Sequence, residues 1–302
     1  ATWGLDSLYV ERINGKDSMR VNESPEMQKG SGYQQTDFLQ KFRFRAGPGI
    51  LDVNFQFSTS SNVPRYDVSS DWSNNQLKWA EWDYGPQKRF LTSAKYARHL
   101  HRWNVSWESQ VALQQIEESR IKRRFGEVWR EIQTEDVRVL NGYTTLNKRW
   151  YSGLSVTAGL SAAWDDVTSR AKQVHVADAD SLQTAMTRYP SGGSSLTTQG
   201  IFATAQWPWR AHRIAAGIRW SQSQLKAQFL PNERYTLPFD RLNTKNGALT
   251  GGISGQWNGT GPWMGMTSLS TGFRHPNVDD VGKVREKGGF VMIPNDSLQP
   301  EY

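Results

Sequence analysis

The segment Leu51-Asp52-Val53-Asn54-Phe55-Gln56-Phe57 sets an apolar residue at every odd position and a polar one at every even position. The same rule recurs down the chain. Leu154, Val156, Ala158, Leu160, Ala162 and Trp164 alternate with Ser155, Thr157, Gly159 and Ser161. Ile214, Ala216, Ile218 and Trp220 alternate with Arg213, Gly217, Arg219 and Ser221. Side chains of an extended strand point alternately to opposite faces, so this period makes strands with one greasy and one wet side. A helix would repeat about every 3.6 residues instead. The chain therefore reads as all-β and antiparallel.

The alternation predicts strands near 2–13, 33–45, 50–59, 88–98, 103–118, 132–145, 152–165, 196–207, 212–228, 246–257 and 263–274. Their connections alternate between short and long. Those at 46–49, 99–102, 146–151, 208–211 and 258–262 are short, and those near 14–32, 60–87, 119–131, 166–195, 229–245 and from 275 onward are long. Short periplasmic turns alternating with long extracellular loops are the pattern of a transmembrane β-barrel. Trp or Tyr flanks most of the short turns (Tyr96, Trp103, Trp107, Trp150, Tyr151, Trp207, Trp209, Trp257, Trp263). Indole rings favour the level where headgroups meet acyl chains, so these residues form a candidate aromatic girdle. The wet face, with Asp52, Asn54, Lys95, Glu108, Gln110, Arg213 and Arg219, is then the lumen.

Composition fits this reading. Hydrophobic residues make up 37% of the chain, the mean hydropathy is -0.68, and 12% is aromatic, with 14 Trp. A disordered chain would lack those aromatics. No apolar run is long enough for a spanning helix, which barrel strands do not need. The net charge of +7 suits an anionic surface such as lipid A phosphates, and no basic arm for nucleic acid is present. The densest basic cluster, Arg120, Lys122, Arg123 and Arg124, reads as a solvated loop. An odd count of eleven strands cannot close with every neighbour antiparallel, and an open sheet edge does not survive in lipid. With a start in mid-pattern at Ala1 and no closing turn at Tyr302, the expectation for 1–302 is part of a larger barrel.

Ser270-Thr271-Gly272-Phe273-Arg274-His275-Pro276-Asn277-Val278-Asp279-Asp280 resembles the G-F-R-x-P-N-x-x-D motif of TonB-dependent outer-membrane receptors. Pro294-Asn295-Asp296-Ser297-Leu298-Gln299-Pro300-Glu301 is similar to the N-P-x-L-x-P-E signature of that family, with Asp296 where proline is usual. The motif residues carried over are Gly272, Phe273, Arg274, Pro276, Asn277, Asp280, Pro300 and Glu301. The resemblance implies a barrel of about 22 strands, a plug domain absent from this sequence, and a Gram-negative outer-membrane location. It also implies a TonB complex acting through that plug, contact with the bilayer and lipopolysaccharide, and a small-molecule or metal-chelate ligand.

Site chemistry points to binding and away from catalysis. No nucleotide loop or nucleophile elbow occurs, and the five His are scattered without a ligand set, so no enzyme, cofactor, catalytic group or metal centre is expected. The richest ligand surface is the 60–87 loop, where Tyr66, Trp72, Trp79, Trp82 and Tyr84 stand among charged residues. Arg274 is placed to clasp Asp279 or Asp280. The expected function is TonB-dependent import of a large scarce nutrient such as an iron-siderophore, haem or a cobalamin-like ligand. A passive porin or a surface adhesin would share this wall, and a plug encoded upstream of Ala1 separates the first reading from the others.

Overall fold

The computed structural model describes residues 7–24, 26–231, 239–258, 262–282, 285–287, 290–292, 295, 298 and 300–302. In chain order the strands begin with β1 (Leu8–Ile13), β2 (Lys16–Val21), β3 (Gln35–Ala46) and β4 (Gly49–Ser60). Four short pieces follow: β5 (Val63–Pro64), β6 (Trp72–Ser73), β7 (Gln76–Leu77) and β8 (Trp79–Tyr84). Then come β9 (Lys88–Leu100), β10 (Val105–Arg124), β11 (Trp129–Arg149), β12 (Ser155–His175) and β13 (Asp178–Thr184). The rest are β14 (Ser194–Trp209), β15 (His212–Gln228), β16 (Arg241–Asn258), β17 (Met264–Ser270), helix α1 (Val278–Val281), β18 (Arg285–Lys287) and β19 (Phe290–Met292).

One antiparallel meander dominates, in the order β3-β4-β9-β10-β11-β12-β14-β15-β16-β17. Each wall strand pairs with the next wall strand in sequence, so all short turns fall on one edge of the sheet and all long connections on the other. The sheet is open. β3 and β17 are its two edges and do not pair with each other among the described residues.

Two expectations need correction. The wall has ten strands where eleven were expected, because β1 pairs with β2 in a separate hairpin and never joins the wall. Ten is an even number, which parity allows to close; the sheet is open because β3 and β17 stay apart among the described residues. The connections expected at 119–131 and 166–195 are largely strand. β10 and β11 stay in register from Val105↔Lys148 to Lys122↔Glu131, leaving a turn at 125–128, and β12 runs on to His175. The alternation of apolar residues ends partway along these strands; the hydrogen-bond ladder does not.

Cross-strand register shows the two faces directly, since opposed residues share a side. One row runs Phe44–Leu51–Tyr96–Ser109–Thr144–Leu160–Ile201–Trp220–Leu249. Leu160, Ile201 and Leu249 are 50%, 55% and 63% exposed, which in water would be an exposed apolar surface far too large for a monomer. The adjacent inward row, Arg43–Asp52–Lys95–Gln110–Tyr143–Ser161, is polar. Arg43 donates to Asp52 at 2.6 Å, and the Tyr143 hydroxyl donates to Glu108 at 2.6 Å. The Arg219 guanidinium donates to Ser161 and lies across Gly200, where a Cβ would come within 2.3 Å of it.

On β12 the outward apolar series runs from Val156 to Trp164 and then becomes Asp166, Thr168, Arg170 and Lys172. That span matches the ~9–11 residues a tilted strand needs to cross a bilayer. Trp103, Trp150, Trp207, Trp209, Trp257 and Trp263 are exposed along the short-turn edge, while Trp164 and Trp220 end the band on the other side. The candidate girdle thus occupies one edge of the sheet, as expected.

Candidate functional site

β8 lies antiparallel beside the loop end of β10, pairing Tyr84 with Arg120, Trp82 with Lys122 and Trp79 with Arg124, with a register shift before the last pair. Even-numbered residues of β10 share the inward face with Glu108 and Gln110. The three rings therefore look inward, over the mouth of the lumen. They stand edge to face, Trp79 to Trp82 at 6.3 Å and Trp82 to Tyr84 at 5.1 Å. Cations interleave with them. Arg120 lies 5.3 Å from the Tyr84 ring, Lys122 5.9 Å from Trp82, and Arg124 and Lys78 5.9 and 5.1 Å from Trp79. Arg65 stacks on Trp82 at 3.8 Å. A hollow of about 250 Å³ opens beside this ladder, lined by Tyr9, Val10, Arg65, Trp79 and Trp82.

The sequence-derived candidates divide. Trp79, Trp82 and Tyr84 come together in the ladder, and Tyr66 opens a short 3-10 turn next to Arg65. Trp72 stands apart. It sits exposed on the β6–β7 hairpin, whose turn residues Asn74 and Asn75 have φ of 52° and 60°, the left-handed pair a tight hairpin needs. The cations are what the sequence reading missed. The Arg120–Arg124 cluster was expected in a solvated loop, but it continues β10. Strand alternation then sends Arg120, Lys122 and Arg124 to the rings and Arg123 to the opposite face.

On that opposite face an ion network with a buried centre fixes the ladder. Glu81 accepts from Arg123 at 3.1 Å and from Arg130 at 2.5 and 2.8 Å. Asp17, at the start of β2, accepts from Arg123 at 2.6 and 3.0 Å, from the Gly126 N–H at 2.8 Å and from Arg12 at 3.2 Å. The side chains of Arg123 and Asp17 are 2% and 1% exposed. Burial pushes the Asp17 carboxyl up, but the Arg123 hydrogen bonds and charge together with the Gly126 N–H outweigh it, and its pKa lies below the ordinary value. Glu81 is lowered in the same way, with the Arg130 and Arg123 contributions overcoming desolvation. The β1–β2 hairpin is thus bolted to the outer side of the strands whose inner side carries the rings.

The family-like motif is a structural clasp. Arg274 donates to Asp280 at 2.8 and 2.9 Å and bridges Glu301 through paired backbone hydrogen bonds of 3.0 and 3.2 Å. Asn277 caps α1 by accepting from the Asp279 and Asp280 N–H groups, and Asp280 accepts from the Asn277 N–H in return. Pro276 is buried, Phe273 packs edge to face against His275 and tilted against Tyr302, and Gly272 and Pro300 lie within two residues of the bridged pair. Val281 is fully buried in the cluster Leu225, Ala227, Phe229 and Leu242. Asp279 instead accepts from the Tyr189 hydroxyl, tying in the β12–β14 connection. That connection also covers Glu135, 2% exposed, which among the described residues receives only a 3.4 Å contact from Ser169 and whose carboxyl burial pushes upward. No group of three or more His, Cys, Asp or Glu among the described residues is arranged to hold a metal ion.

Residues 21–302 match the family model described as "TonB dependent receptor-like, beta-barrel". No curated protein matches the sequence. Among solved structures, the copper transporter OprC superposes with a TM-score of 0.65 at 13% identity, over 83% of this chain and 38% of that one. The ferric citrate transporter FecA in its unliganded form gives 0.62 at 11% identity, over 81% and 37%. The Serratia marcescens hemophore receptor HasR, in complex with its hemophore HasA and haem, gives 0.61 at 9% identity, over 89% and 40%. The chain therefore spans less than half the length of each of these proteins, and the likeness is one of fold. With the family model matching nearly the whole sequence, the chain belongs to the TonB-dependent receptor β-barrel family.

Proposed function

We propose that this chain is wall and extracellular loop of a TonB-dependent importer in a Gram-negative outer membrane, and that its cargo is an anionic metal chelate. The observation that carries the cargo class is the ladder of Trp79, Trp82 and Tyr84 interleaved with Arg65, Arg120, Lys122 and Arg124 at the lumen mouth. Flat rings supply contact area at low entropy cost, and guanidinium groups supply bidentate donors for carboxylates. Ferric carboxylate chelates and haem, whose edge bears propionates, both present that chemistry. Family membership and the fold shared with OprC, FecA and HasR support transport as the activity.

In this reading a plug domain from elsewhere in the full protein fills the lumen against the polar row Arg43–Asp52–Lys95. TonB pulls on the plug, and no bond of the cargo changes. The test is direct binding by the full-length protein of ferric citrate, haem and cobalamin, each in wild type and in Trp82→Ala and Arg65→Gln variants. One anionic chelate is expected to bind and to lose roughly tenfold in each variant, the scale of a stacked ring or a charge-assisted hydrogen bond. Cobalamin as the sole binder, or equal affinity in all three proteins, would reject the ladder as the cargo site. Uptake that persists without TonB would reject energised import in favour of a passive channel.

A further inference from the structure

Beside the ladder, on the same inward face, lies a buried carboxyl that takes no part in it. Strand register sets Glu135 opposite Glu118 on β10 and opposite Ser169 on β12, and it sets Gln133, the next inward residue of β11, opposite Arg120. Alternate residues of a strand share a face, and diagonal cross-strand neighbours lie about 7–8 Å apart. Glu135 is therefore the diagonal neighbour of Arg120, the ladder cation 5.3 Å from the Tyr84 ring. Arg120 is half-buried, whereas Glu135 is covered. The segment 185–193 folds inward over it. The Met186 carbonyl accepts from the Gln133 amide at 2.9 Å, and the Tyr189 N–H donates to Ser169 at 3.4 Å.

Every element packed against this carboxyl brings a polar group. β10 supplies Arg120 and Glu118, β12 supplies Ser169, and the covering segment supplies Arg188 and Tyr189. Asp279 of the clasp stands behind the last two, 3.6 Å from Arg188 and accepting from the Tyr189 hydroxyl at 3.1 Å. On β11 itself the nearest inward carboxylate, Glu131, pairs with Lys122 at 3.8 Å. Among the described residues neither Glu135 Oε2 nor Arg188 Nε has a hydrogen-bond partner. Burial pushes the Glu135 carboxyl above the ordinary glutamate value, against the pull of Arg188 and Arg120. Neutralising either cation makes the charge on Glu135 harder still to keep.

An anionic chelate at the ladder does that to Arg120. Its carboxylates occupy the guanidinium that faces Glu135, and they bring a like charge toward Glu135 itself. Both effects disfavour the ionised form. We propose that capture of an anionic chelate at the ladder is proton-linked through Glu135, which takes up a proton from water as the cargo takes Arg120. This deepens the reading of the ladder as the cargo site and rests on it. Linkage fixes the sign. Affinity is highest where Glu135 is neutral in both states. It falls as pH rises from the free protein's pKa to the higher one of the complex, and levels off where Glu135 is ionised in both. One charge pair at about 7–8 Å in a half-buried setting moves a pKa by roughly one unit, so affinity should drop about tenfold across that window.

The experiment titrates full-length protein with ferric citrate and with haem by calorimetry, from about pH 5 to about pH 8, in pairs of buffers that differ in ionisation enthalpy. The chelate's own titration is common to wild type and Glu135→Gln, so the difference between the two isolates Glu135. Wild type should take up a proton on binding and lose about tenfold in affinity as pH rises, whereas Glu135→Gln should hold the acid-limb affinity throughout and take up no excess proton. Arg188→Gln removes the other cation facing the carboxyl and touches no cargo in this reading. It should move the same tenfold fall to higher pH, and it gives a second test that does not depend on the folding of Glu135→Gln. An equal pH slope in wild type and Glu135→Gln, or an unmoved window in Arg188→Gln, would overturn the proton link while chelate binding stands. Failure of either chelate to bind at any pH would reject the cargo reading and the link together.

Discussion

The two ends of β10, β11 and β12 share one hydrogen-bond ladder and behave as different materials. Toward the short turns, Val111, Leu113, Leu140 and Leu160 point outward and stay exposed, and the polar residues are turned inward. Toward the loops, the outward positions of β10 become Ser119, Ile121 and Arg123, and all three are buried. The first half is finished by its solvent, since lipid covers it. The second half stands in water and is covered by its own chain, with the β1–β2 hairpin held by charge more than by apolar area. The network of Asp17, Glu81, Arg123 and Arg130 does for the loop half what acyl chains do for the membrane half.

The sharpest break in this comparison is Arg123→Ala. It leaves Asp17 buried without its main partner, a change that costs about 3–5 kcal/mol in a buried pair. The hairpin is expected to undock, shown by new protease cleavage near Asn14–Gly15, while the membrane half keeps its strand signal. Retention of full protease resistance would show that the hairpin is held by something else. Next in size is Leu160→Arg, placed in the middle of the lipid-facing row. Equilibrium unfolding in bilayers should register a loss of about 2–4 kcal/mol, against almost none for Lys172→Leu on the same strand above the band. Equal penalties at the two sites would erase the distinction between the halves.

Acid separates the halves more gently. Asp17 and Glu81 have lowered pKa values in the folded chain, so their contribution is complete above the ordinary carboxylate range and is lost as pH falls through the lowered values. Hairpin docking should therefore be constant at neutral pH and weaken below about pH 4, with the row Leu160–Ile201–Trp220–Leu249 unaffected because it carries no titratable group. Hydrogen exchange at Lys16–Val21 across that range is the readout, and docking that weakens near neutrality would contradict the assignment. The smallest effect concerns Glu135, whose raised pKa has the opposite sign. Its ionised form opposes folding, so stability falls as pH rises from the ordinary glutamate value to the raised one. Glu135→Gln is expected to steady the 185–190 connection by less than about 1 kcal/mol at neutral pH and to change nothing in acid. Destabilisation at neutral pH would mean that the charge is used by Arg188.

Legibility followed the same division. Where lipid imposes one apolar face, residues such as Leu154 to Trp164 carry the period plainly, and the strands, short turns and aromatic edge were readable within a few positions. Beyond the bilayer both faces are polar, so Glu117 to Arg124 show no period and looked like loop. The aromatic residues of the candidate site were visible as a composition, but not their division into a ladder and the separate Trp72. The Arg274–Asp280 clasp was readable because its partners lie within one short motif. The pairing of Asp17 with Arg123 was not, because more than a hundred residues separate them and neither has a local signature.

The sequence by itself determined an antiparallel wall with one apolar face, the sidedness of its turns and the family, since a two-residue period and short motifs are local properties. Only the tertiary structure decided that the first strand leaves the wall and that the basic cluster divides between rings and an ion network on the opposite face. Those outcomes depend on which distant segments meet, and side-chain chemistry along one strand does not encode its neighbours.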